Sequence, residues 1–481
     1  MAYTVAQNTT LYTGASVAQK VISFVYFTIV ARIIGAANTG QYFLAISFTT
    51  IFAVVADFGF SSVLTRETSK SESLAGIYLN TVLGAKTVFG VLAFIMVVGA
   101  AWLMGYSPEL RLWIALSGIT MFFDSLKAAF FSVLRAHRNL LYESAGIIGS
   151  QLITLGIGTS ALFLHAPLYW LILAYTFASG ATLVYSAAAL WRETHVRLAF
   201  IFDWAIFKQF LLVALPIATA GVVGRLYSYA DSIMMSKMLV KEALGWWSVP
   251  YKIAFAFQFI PVALSASVYP VMSRLATGDP GNVGKLFVKS WRHLFLIVFP
   301  LAAGLIAVAR PVIVQLYGVS YLPSVPALQI LMISLIFSFL TIITGALLIA
   351  VNRQLTQTLL LTLALIIDVA MNLFLIPRIG IMGAAISATV SNFILCLTGL
   401  YFVTKVVPVS VLTLASHAWR TFVAAAAMGF FVWWLAHLVN FGVVIVLGAL
   451  LYLPLLFLAG GIDWEFIQEV WHKIYWKQTD L

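Results

Sequence analysis

The sequence predicts an all-α polytopic membrane protein with 14 transmembrane helices, on the basis of its composition and its apolar runs. Of the 481 residues, 62% are hydrophobic and only 9% are charged, whereas about 25% of the residues in soluble domains are charged. The apolar residues form continuous runs of the length that crosses a bilayer as a helix, instead of the alternation typical of barrel strands. These observations exclude a cytosolic enzyme, a secreted disulfide-rich domain and a disordered scaffold. The net charge of +11 is spread too thinly to indicate a nucleic-acid partner.

The predicted spans are separated by short turns that carry glycine or proline. They cover residues 9–34, 40–64, 75–104, 110–134, 141–165, 168–191, 208–236, 244–272, 288–316, 325–351, 356–377, 381–405, 418–438 and 441–461. Prolines inside spans seven to nine predict kinks, because proline lacks a backbone donor. These prolines are Pro216, Pro261, Pro300 and Pro311. In residues 463–481, apolar side chains fall on one helical face, which predicts an interfacial amphipathic helix.

The distribution of basic residues predicts that both termini are cytoplasmic. An even number of spans places the two termini on the same side. Of the 27 lysines and arginines, about sixteen lie in loops on that side, about six lie opposite and five lie within spans, and cytoplasmic loops carry the excess of basic residues. The loops richest in lysine and arginine are therefore expected on the cytoplasmic side of the membrane.

No cofactor and no enzymatic activity are expected from the motifs. The only cysteine is Cys396, the histidines are scattered, and no pattern has metal-ligand spacing. The sequence contains no GxxxxGK[ST] phosphate-binding loop. It also has no polar segment of about 100 residues to hold a catalytic domain. A coupling proton or sodium ion is the remaining possibility.

An internal repeat is predicted from two similar segments. With an offset of 205 residues, Arg32 aligns with Lys237 and Gly40 aligns with Gly245. Each segment marks the outer turn after the first helix of a half, so the halves have the same direction and a pseudo-twofold axis along the membrane normal. The predicted division is an N-lobe of helices 1–6, a C-lobe of helices 7–12, an added helix pair and the amphipathic tail. Their bounds are 1–200, 201–406, 407–462 and 463–481.

Charged residues within the predicted spans are the candidate functional residues, because inserting each costs about 2.5–3.5 kcal/mol or more. The cations are Lys20, Lys86, Lys127, Arg225 and Lys252, and the acids are Asp57, Asp124, Asp231 and Asp368. Asp124 and Lys127 are three residues apart on one helical face and can pair. Lys20 and Lys86 have no acid at pairing distance on their own helices. A water-filled cavity with a positive lining would suit these cations and attract phosphate. The alternative is that each cation pairs with an acid on another helix.

A further polar patch is predicted on span 11, where Asp368 and Asn372 are four residues apart. The patch would hold a coupling ion or proton, or form hydrogen bonds with a neighbouring helix. The sequence leaves both interpretations open.

Several long segments resemble the polysaccharide-transporter family of Wzx-type oligosaccharide flippases, which belongs to the MOP exporter superfamily. The segment ARIIGAANTGQYFLAISFTTIFAVVADFGFSSVLTRE is similar to the family's first two helices. LPIATAGVVGRLYSYADSIMMSKML and GWWSVPYKIAFAFQFIPVALSASVYPVMSRL are similar to helices seven and eight. NRQLTQTLLLTLALIIDVAMNLFLIPRIGIMGAAISATVSN is similar to helices eleven and twelve. Together these segments extend over roughly residues 10–405.

The resemblance implies two six-helix, MATE-like lobes with a central cavity, plus two extra C-terminal helices. It implies export of a polyprenyl-pyrophosphate-linked oligosaccharide by alternating access, with membrane lipids and other polysaccharide assembly proteins as further partners. Asp57, Gly59 and Arg66 match the family's DFG…R stretch, Asp231 matches an acid of helix seven, and Tyr251 and Lys252 match a Y-K/R pair of helix eight.

Two groups of residues are assigned roles on these grounds. The expected substrate-binding residues are Lys20, Lys86, Arg225, Lys252 and Lys127. The expected coupling or gating residues are Asp57, Arg66, Asp124, Asp231, Asp368 and Asn372.

Two other functions are compatible with a polytopic membrane protein. An ion-coupled, MATE-like exporter of small cationic molecules has the same fold, but acids should then line its cavity. A membrane-embedded glycan transferase needs an acid or histidine cluster at the membrane interface. The excess of buried cations favours the flippase.

Overall fold

The computed structural model of the protein describes residues 5–194, 196, 198–199, 201–276 and 278–461. The regular structure of these residues is helical. Sixteen α-helices follow one another along the described chain. They are α1 Val5–Asp57, α2 Phe60–Lys70, α3 Ala75–Leu103, α4 Pro108–Ala136, α5 Leu141–Phe163, α6 Tyr169–Thr194, α7 Trp204–Met238, α8 Lys241–Phe257, α9 Phe259–Leu275, α10 Pro280–Ala307, α11 Ala309–Tyr317, α12 Ser324–Ala350, α13 Gln354–Ile379, α14 Ile381–Val406, α15 Val411–Leu435 and α16 Phe441–Leu458.

The number of membrane crossings agrees with the sequence. The described residues contain 13 helical runs long and apolar enough to cross a bilayer, and the first, Thr10–Lys70, has 61 residues. Gly35 interrupts this run with φ 74° and ψ 172°, a conformation open to glycine because it lacks a Cβ. The interruption divides the run into two crossings, so the predicted total of 14 is confirmed. The protein is a multi-pass membrane protein.

Three predicted spans are broken within their length. The second span was predicted as continuous over 40–64, but α1 ends at Asp57 and α2 begins at Phe60. Phe58 and Gly59 form the turn between them with φ 48° and 77°. Because Phe58 must adopt a left-handed conformation that non-glycine residues rarely adopt, hydropathy alone does not reveal this break.

Two of the predicted proline interruptions are confirmed, and two are not breaks. Helix α8 ends four residues before Pro261, and α10 ends four residues before Pro311. The last residues of these helices are Phe257 and Ala307. Their carbonyls would accept a hydrogen bond from the backbone N–H of residue 261 or 311, which proline lacks. Pro216 and Pro300 instead lie inside the continuous helices α7 and α10.

The start of α10 also differs from the prediction, which placed it at residue 288. The helix begins at Pro280, and the Asp279 carboxylate accepts a hydrogen bond from the backbone N–H of Asn282 at 3.1 Å. An aspartate N-cap followed by proline is a strong helix start. This polar first turn extends the helix beyond its apolar part.

The described chain forms two compact units. The first contains the residues up to Ser248 together with Asn372–Ile381, and the second contains Val249–Met371 and the residues from Met382. Helix α7 belongs to the first unit because it packs along α1, where an added Cβ at Gly221 would lie 3.0 Å from Val54. In the second unit, α15 and α16 pack on α10 through an apolar cluster that includes Val308, Met428 and Val444. The predicted lobe boundaries at residues 200 and 406 stay predictions, and the amphipathic segment 463–481 lies outside the described residues.

The two glycines aligned by the repeat contact each other in the first unit. An added Cβ at Gly40 would lie 2.7 Å from the carbonyl oxygen of Lys241 and 2.8 Å from the backbone nitrogen of Gly245. A Cβ at Gly245 would overlap the carbonyl group of Ala36. The second half of α1 therefore crosses α8 with backbone against backbone, an approach that only small residues permit. A pseudo-twofold axis predicts such a contact between equivalent positions near the axis.

Candidate functional site

The break between α1 and α2 holds a buried ion pair. The Lys86 ammonium of α3 donates to Asp57 Oδ1 at 2.5 Å, to Ser61 Oγ at 2.7 Å and to the Ser125 carbonyl of α4 at 2.8 Å. Ser61 Oγ also donates to Asp57 Oδ1, and Ser125 Oγ donates to the Ala56 carbonyl at 2.8 Å. The side chain of Lys86 is 0% exposed, and that of Asp57 is 32% exposed.

This arrangement decides between the two interpretations that the sequence left open for Lys86. The ammonium has three donors and contacts three oxygens, so its hydrogen-bonding capacity is used within the protein. Lys86 pairs across helices and does not line an open cavity. The pair connects α1, α2, α3 and α4 at the point where the backbone leaves the helix.

The predicted pairing of Asp124 with Lys127 is confirmed. The Lys127 ammonium lies 2.6 Å from Asp124 Oδ1 on α4. The side chain of Asp124 is 48% exposed and that of Lys127 is 20% exposed. Ser179 of α6 donates to Asp124 Oδ1 at 2.5 Å and lies 3.5 Å from the Lys127 ammonium. This second pair is more accessible than the Asp57–Lys86 pair, and it joins α4 to α6.

Two of the predicted substrate-binding cations of the first unit, Lys20 and Arg225, lie within electrostatic range of each other. Lys20 on α1 is half-buried and Arg225 on α7 is exposed. The charge of the Arg225 guanidinium acts on the Lys20 ammonium. Two like charges repel each other, more strongly where the dielectric constant is low. Both residues lie on long apolar helices of the first unit, α1 and α7.

The remaining predicted residues are distributed over both units. Asp231 and Asn372 are buried in the first unit. In the second unit Lys252 is half-buried, and buried Asp368 accepts a hydrogen bond from Ser391 Oγ of α14 at 3.3 Å. The predicted patch of Asp368 and Asn372 therefore bonds at least in part to a neighbouring helix.

The predicted gating residue Arg66 lies on the exposed surface of α2. Its guanidinium is 3.6 Å from the carboxylate of the adjacent Glu67. In the structure, Arg66 therefore interacts with a neighbour on its own helix.

One polar contact was missed by the sequence analysis. Arg135, at the end of α4, forms a bidentate pair with Glu143, at the start of α5, with N–O distances of 3.1 and 2.7 Å. Asn8 of α1 donates to the carbonyl of Arg138 in the same turn at 2.6 Å. The signal was available, because an acid in the first turn of one helix follows a basic residue in the last turn of the previous helix. Both residues lie at helix ends, away from the mid-span positions at which functional charges were predicted.

The protein belongs to the polysaccharide biosynthesis protein family, whose family model matches residues 5–276, more than half of the chain. The resemblance to polysaccharide transporters that the sequence indicated is confirmed by this match. Similar proteins include two microbial relatives.

The first relative is the teichuronic acid biosynthesis protein TuaB of Bacillus subtilis (strain 168). It is 24% identical over 315 residues, which cover 63% of this chain and 62% of TuaB, so the aligned part is less than two thirds of that relative's length. The second is the probable flippase AglR of Haloferax volcanii. It is 24% identical over 447 residues, which cover 88% of each chain.

The fold is shared with solved structures of transporters. The lipid II flippase MurJ in its inward closed conformation matches with a TM-score of 0.78 and 16% identity, covering 92% of this chain and 97% of that one. An inward-facing multidrug resistance MATE family transporter of the MOP superfamily matches with a TM-score of 0.68 and 13% identity, covering 80% of this chain and 94% of that one. The predicted all-α, MATE-like fold class is confirmed.

Proposed function

We propose that this protein is a flippase that moves a polyprenyl-pyrophosphate-linked oligosaccharide from the cytoplasmic to the outer leaflet of a bacterial inner membrane. The neighbouring cations Lys20 and Arg225 are the observation that carries this proposal. A pyrophosphate is a compact, multiply charged anion, and taking its charge into hydrocarbon without counter-charges is prohibitively costly. The family match and the flippases among the similar proteins support the same substrate class.

The head group would bind by charge and by hydrogen bonds. Arg225 presents a planar fork that matches two phosphate oxygens, whereas Lys20 acts as a point charge. Lys127, whose charge is balanced by Asp124, and Lys252 stay predictions as substrate-binding residues. Lys86 is left out because its ammonium already contacts three oxygens. The prenyl chain would stay in the lipid while alternating access turns the head group from one side to the other.

The energy source and the partners belong to the same proposal. Asp57, Asp231 and Asp368 are the acids within spans that would couple transport to a proton or sodium ion. Asp57 is the strongest of these candidates, because its carboxylate is partly exposed beside a turn in the backbone. Other polysaccharide assembly proteins would supply the loaded lipid and consume it after transport.

The MATE-like alternative differs in the expected charge of the site. An exporter of cationic molecules would bring acids together, whereas Lys20 and Arg225 are two neighbouring cations. The transport of a neutral substrate that has no pyrophosphate would also not depend on Lys20 or Arg225. The alternative therefore predicts that removing these cations leaves transport intact.

Alanine substitution of Lys20 and Arg225 tests the proposed function. We expect each of Lys20→Ala and Arg225→Ala to lower glycan export at unchanged membrane abundance, by roughly 10- to 100-fold, because a hydrogen bond to a charged group contributes about 1.5–3 kcal/mol. Arg225→Lys should restore part of the export, since it returns the charge without the bidentate geometry. Export would be measured as lipid-linked oligosaccharide reaching the outer leaflet.

The matched control is Arg310→Ala, which removes an exposed cation from the second unit. This control should export normally. Normal export by the stable double variant Lys20→Ala/Arg225→Ala would contradict the proposed function.

Orientation in the membrane can be tested separately. We expect both termini to face the cytoplasm, because cytoplasmic loops carry the excess of basic residues. Cysteines introduced at Ala2 and at Thr479 should react with an impermeant maleimide only after the cells are opened. A Cys396→Ser background removes the only native thiol, and labelling of either end in intact cells would overturn the orientation.

A further inference from the structure

The end of α7 is bonded to the turn between α3 and α4 by a small set of polar contacts. The Lys237 ammonium donates to the Met104 carbonyl and lies 3.8 Å from the centroid of the Tyr106 ring. The hydroxyl oxygens of Tyr106 and Ser236 are 2.8 Å apart and share a hydrogen bond. We call these four residues the outer latch. Because successive crossings alternate in direction, the latch lies on the side of the membrane opposite the predicted cytoplasmic termini.

The α3–α4 side of the latch is fixed by its own backbone. Gly105 follows α3 with φ 64°, and the Tyr106 N–H donates to the Ala101 carbonyl at 3.4 Å. This pairing is the Schellman closure of a helix end. The Tyr106 ring also packs edge-on against Phe48 of α1, with centroids 5.9 Å apart. Tyr106 is therefore held in place, and the end of α7 is the partner that moves when the latch opens.

The two ends of α7 are attached to the first unit by different kinds of contact. Near its start, Phe207 and Phe210 pack into an apolar cluster, where the Phe210 ring lies 5.3 Å from the Tyr78 ring. Packed apolar side chains lose their dispersion contacts when they separate. The latch instead consists of hydrogen bonds and a cation–π contact at the exposed Lys237, which water replaces at little cost. The last turn of α7 therefore separates more easily than the first.

Pro216 gives α7 a point at which it can bend. It lies inside the helix, and its missing N–H removes one backbone hydrogen bond there. Ser236 is 20 residues beyond Pro216, which is about 30 Å along a helix. A kink of about 20° at the proline would move Ser236 by about 10 Å. This displacement breaks every contact of the outer latch.

We propose that the outer latch holds the end of α7 against the first unit while the protein is closed to the outside, and that it is released when the protein opens to the outside. The predicted repeat makes α7 the counterpart of the first half of α1, so α7 belongs to the second half by sequence. In the structure it lies in the first unit. A helix that belongs to one half by sequence and to the other by packing is suited to change partners. This inference rests on the alternating access of the proposed function, but not on the identity of the substrate.

Distance measurements on the purified full-length protein test this proposal. Spin labels at Leu103→Cys and Val240→Cys, in a Cys396→Ser background, report the separation of the ends of α3 and α7, since both native side chains are exposed. Double electron–electron resonance in lipid nanodiscs would give the distance distribution. We expect Tyr106→Leu/Lys237→Met to raise the ratio of long to short distances roughly tenfold, the size expected when a cation–π contact and hydrogen bonds are lost.

A second variant and a matched control separate the latch from a general effect. Tyr106→Phe keeps the ring beside Lys237 but removes the hydrogen bond to Ser236, so it should raise the same ratio roughly threefold. The control is Tyr401→Leu/Lys405→Met in the second unit, where the Lys405 ammonium lies 5.3 Å from the centroid of the Tyr401 ring. This control removes a comparable cation–π pair and should leave the distribution unchanged.

An unchanged distribution in both Tyr106→Leu/Lys237→Met and Tyr106→Phe would overturn the proposal, as would an equal shift in the control. If the double variant does not fold, Tyr106→Phe decides alone.

Cross-linking tests whether release of the latch is needed for transport. A bismaleimide that joins Tyr106→Cys to Ser236→Cys keeps the end of α7 beside the α3–α4 turn, and we expect it to lower glycan export at least tenfold. The same reagent should leave export unchanged in each single-cysteine variant. Full export by the cross-linked protein would contradict the proposal. A wild-type protein that exports no lipid-linked glycan would instead contradict the proposed function, and the distance measurements would still test the latch.

Discussion

Lys86→Ala is expected to lower the melting temperature and the membrane abundance of the protein. The substitution removes the cationic partner of Asp57 and takes one hydrogen-bond donor away from each of three oxygens. Breaking a buried ion pair by removing one partner costs about 3–5 kcal/mol. We expect a cost at the lower end of this range, because the Asp57 side chain is 32% exposed and water can solvate its carboxylate. Thermal unfolding in detergent would measure the effect.

An exposed ion pair of the same unit provides the control. Lys70 lies 2.7 Å from Glu67, and its side chain is 53% exposed. Surface pairs contribute about 0–1 kcal/mol, so Lys70→Ala should leave the melting temperature nearly unchanged. An unaltered melting temperature in Lys86→Ala would show that the buried pair does not stabilise the fold.

A double variant separates stability from transport. Asp57→Asn/Lys86→Met removes both charges, so neither is left unpaired, and replacing both members of a buried pair is often close to neutral. We expect abundance to recover in this variant. If export recovers with it, the pair is structural only. If export stays lost at normal abundance, Asp57 acts in coupling, as the proposed function assigns.

Gly245→Ala is expected to produce the second large effect. The added methyl group at Gly245 would overlap the Ala36 carbonyl. A methyl group at Gly40, on the other side of the crossing, would lie 2.7 Å from the carbonyl oxygen of Lys241. These are backbone atoms, so a side-chain rotation cannot relieve the overlap and the helices must separate. Overpacking costs about 1–3 kcal/mol, and the upper part of this range is expected here. Melting temperature and glycan export should both fall, export by at least tenfold.

Glycine to alanine at an open position is the matched control. Gly14, on α1, has no atom within 4 Å of an added Cβ. Alanine has the better helix propensity by about 1 kcal/mol, so Gly14→Ala should leave stability unchanged or raise it slightly. Wild-type melting temperature and export in Gly245→Ala would disprove the close crossing of α1 and α8.

Sequence alone determined the fold class and the number of crossings of this protein. Apolar runs of bilayer length must form helices, because hydrocarbon offers no partner for the backbone N–H and C=O groups. The breaks before Pro261 and Pro311 were also predictable, because proline has no backbone N–H to donate to the carbonyl four residues earlier. The pairing of Asp124 with Lys127 was predictable as well, since both residues lie on one turn of one helix.

Only the tertiary structure decided the partners of residues on different helices. Lys86 and Asp57 are 29 residues apart, and nothing in the hydropathy of α3 indicates that its lysine faces the turn at Phe58. The closeness of Lys20 and Arg225 depends in the same way on the packing of α7 along α1. Periodicity within a helix reports which face is polar, but the neighbour of that face is set by how the helices pack.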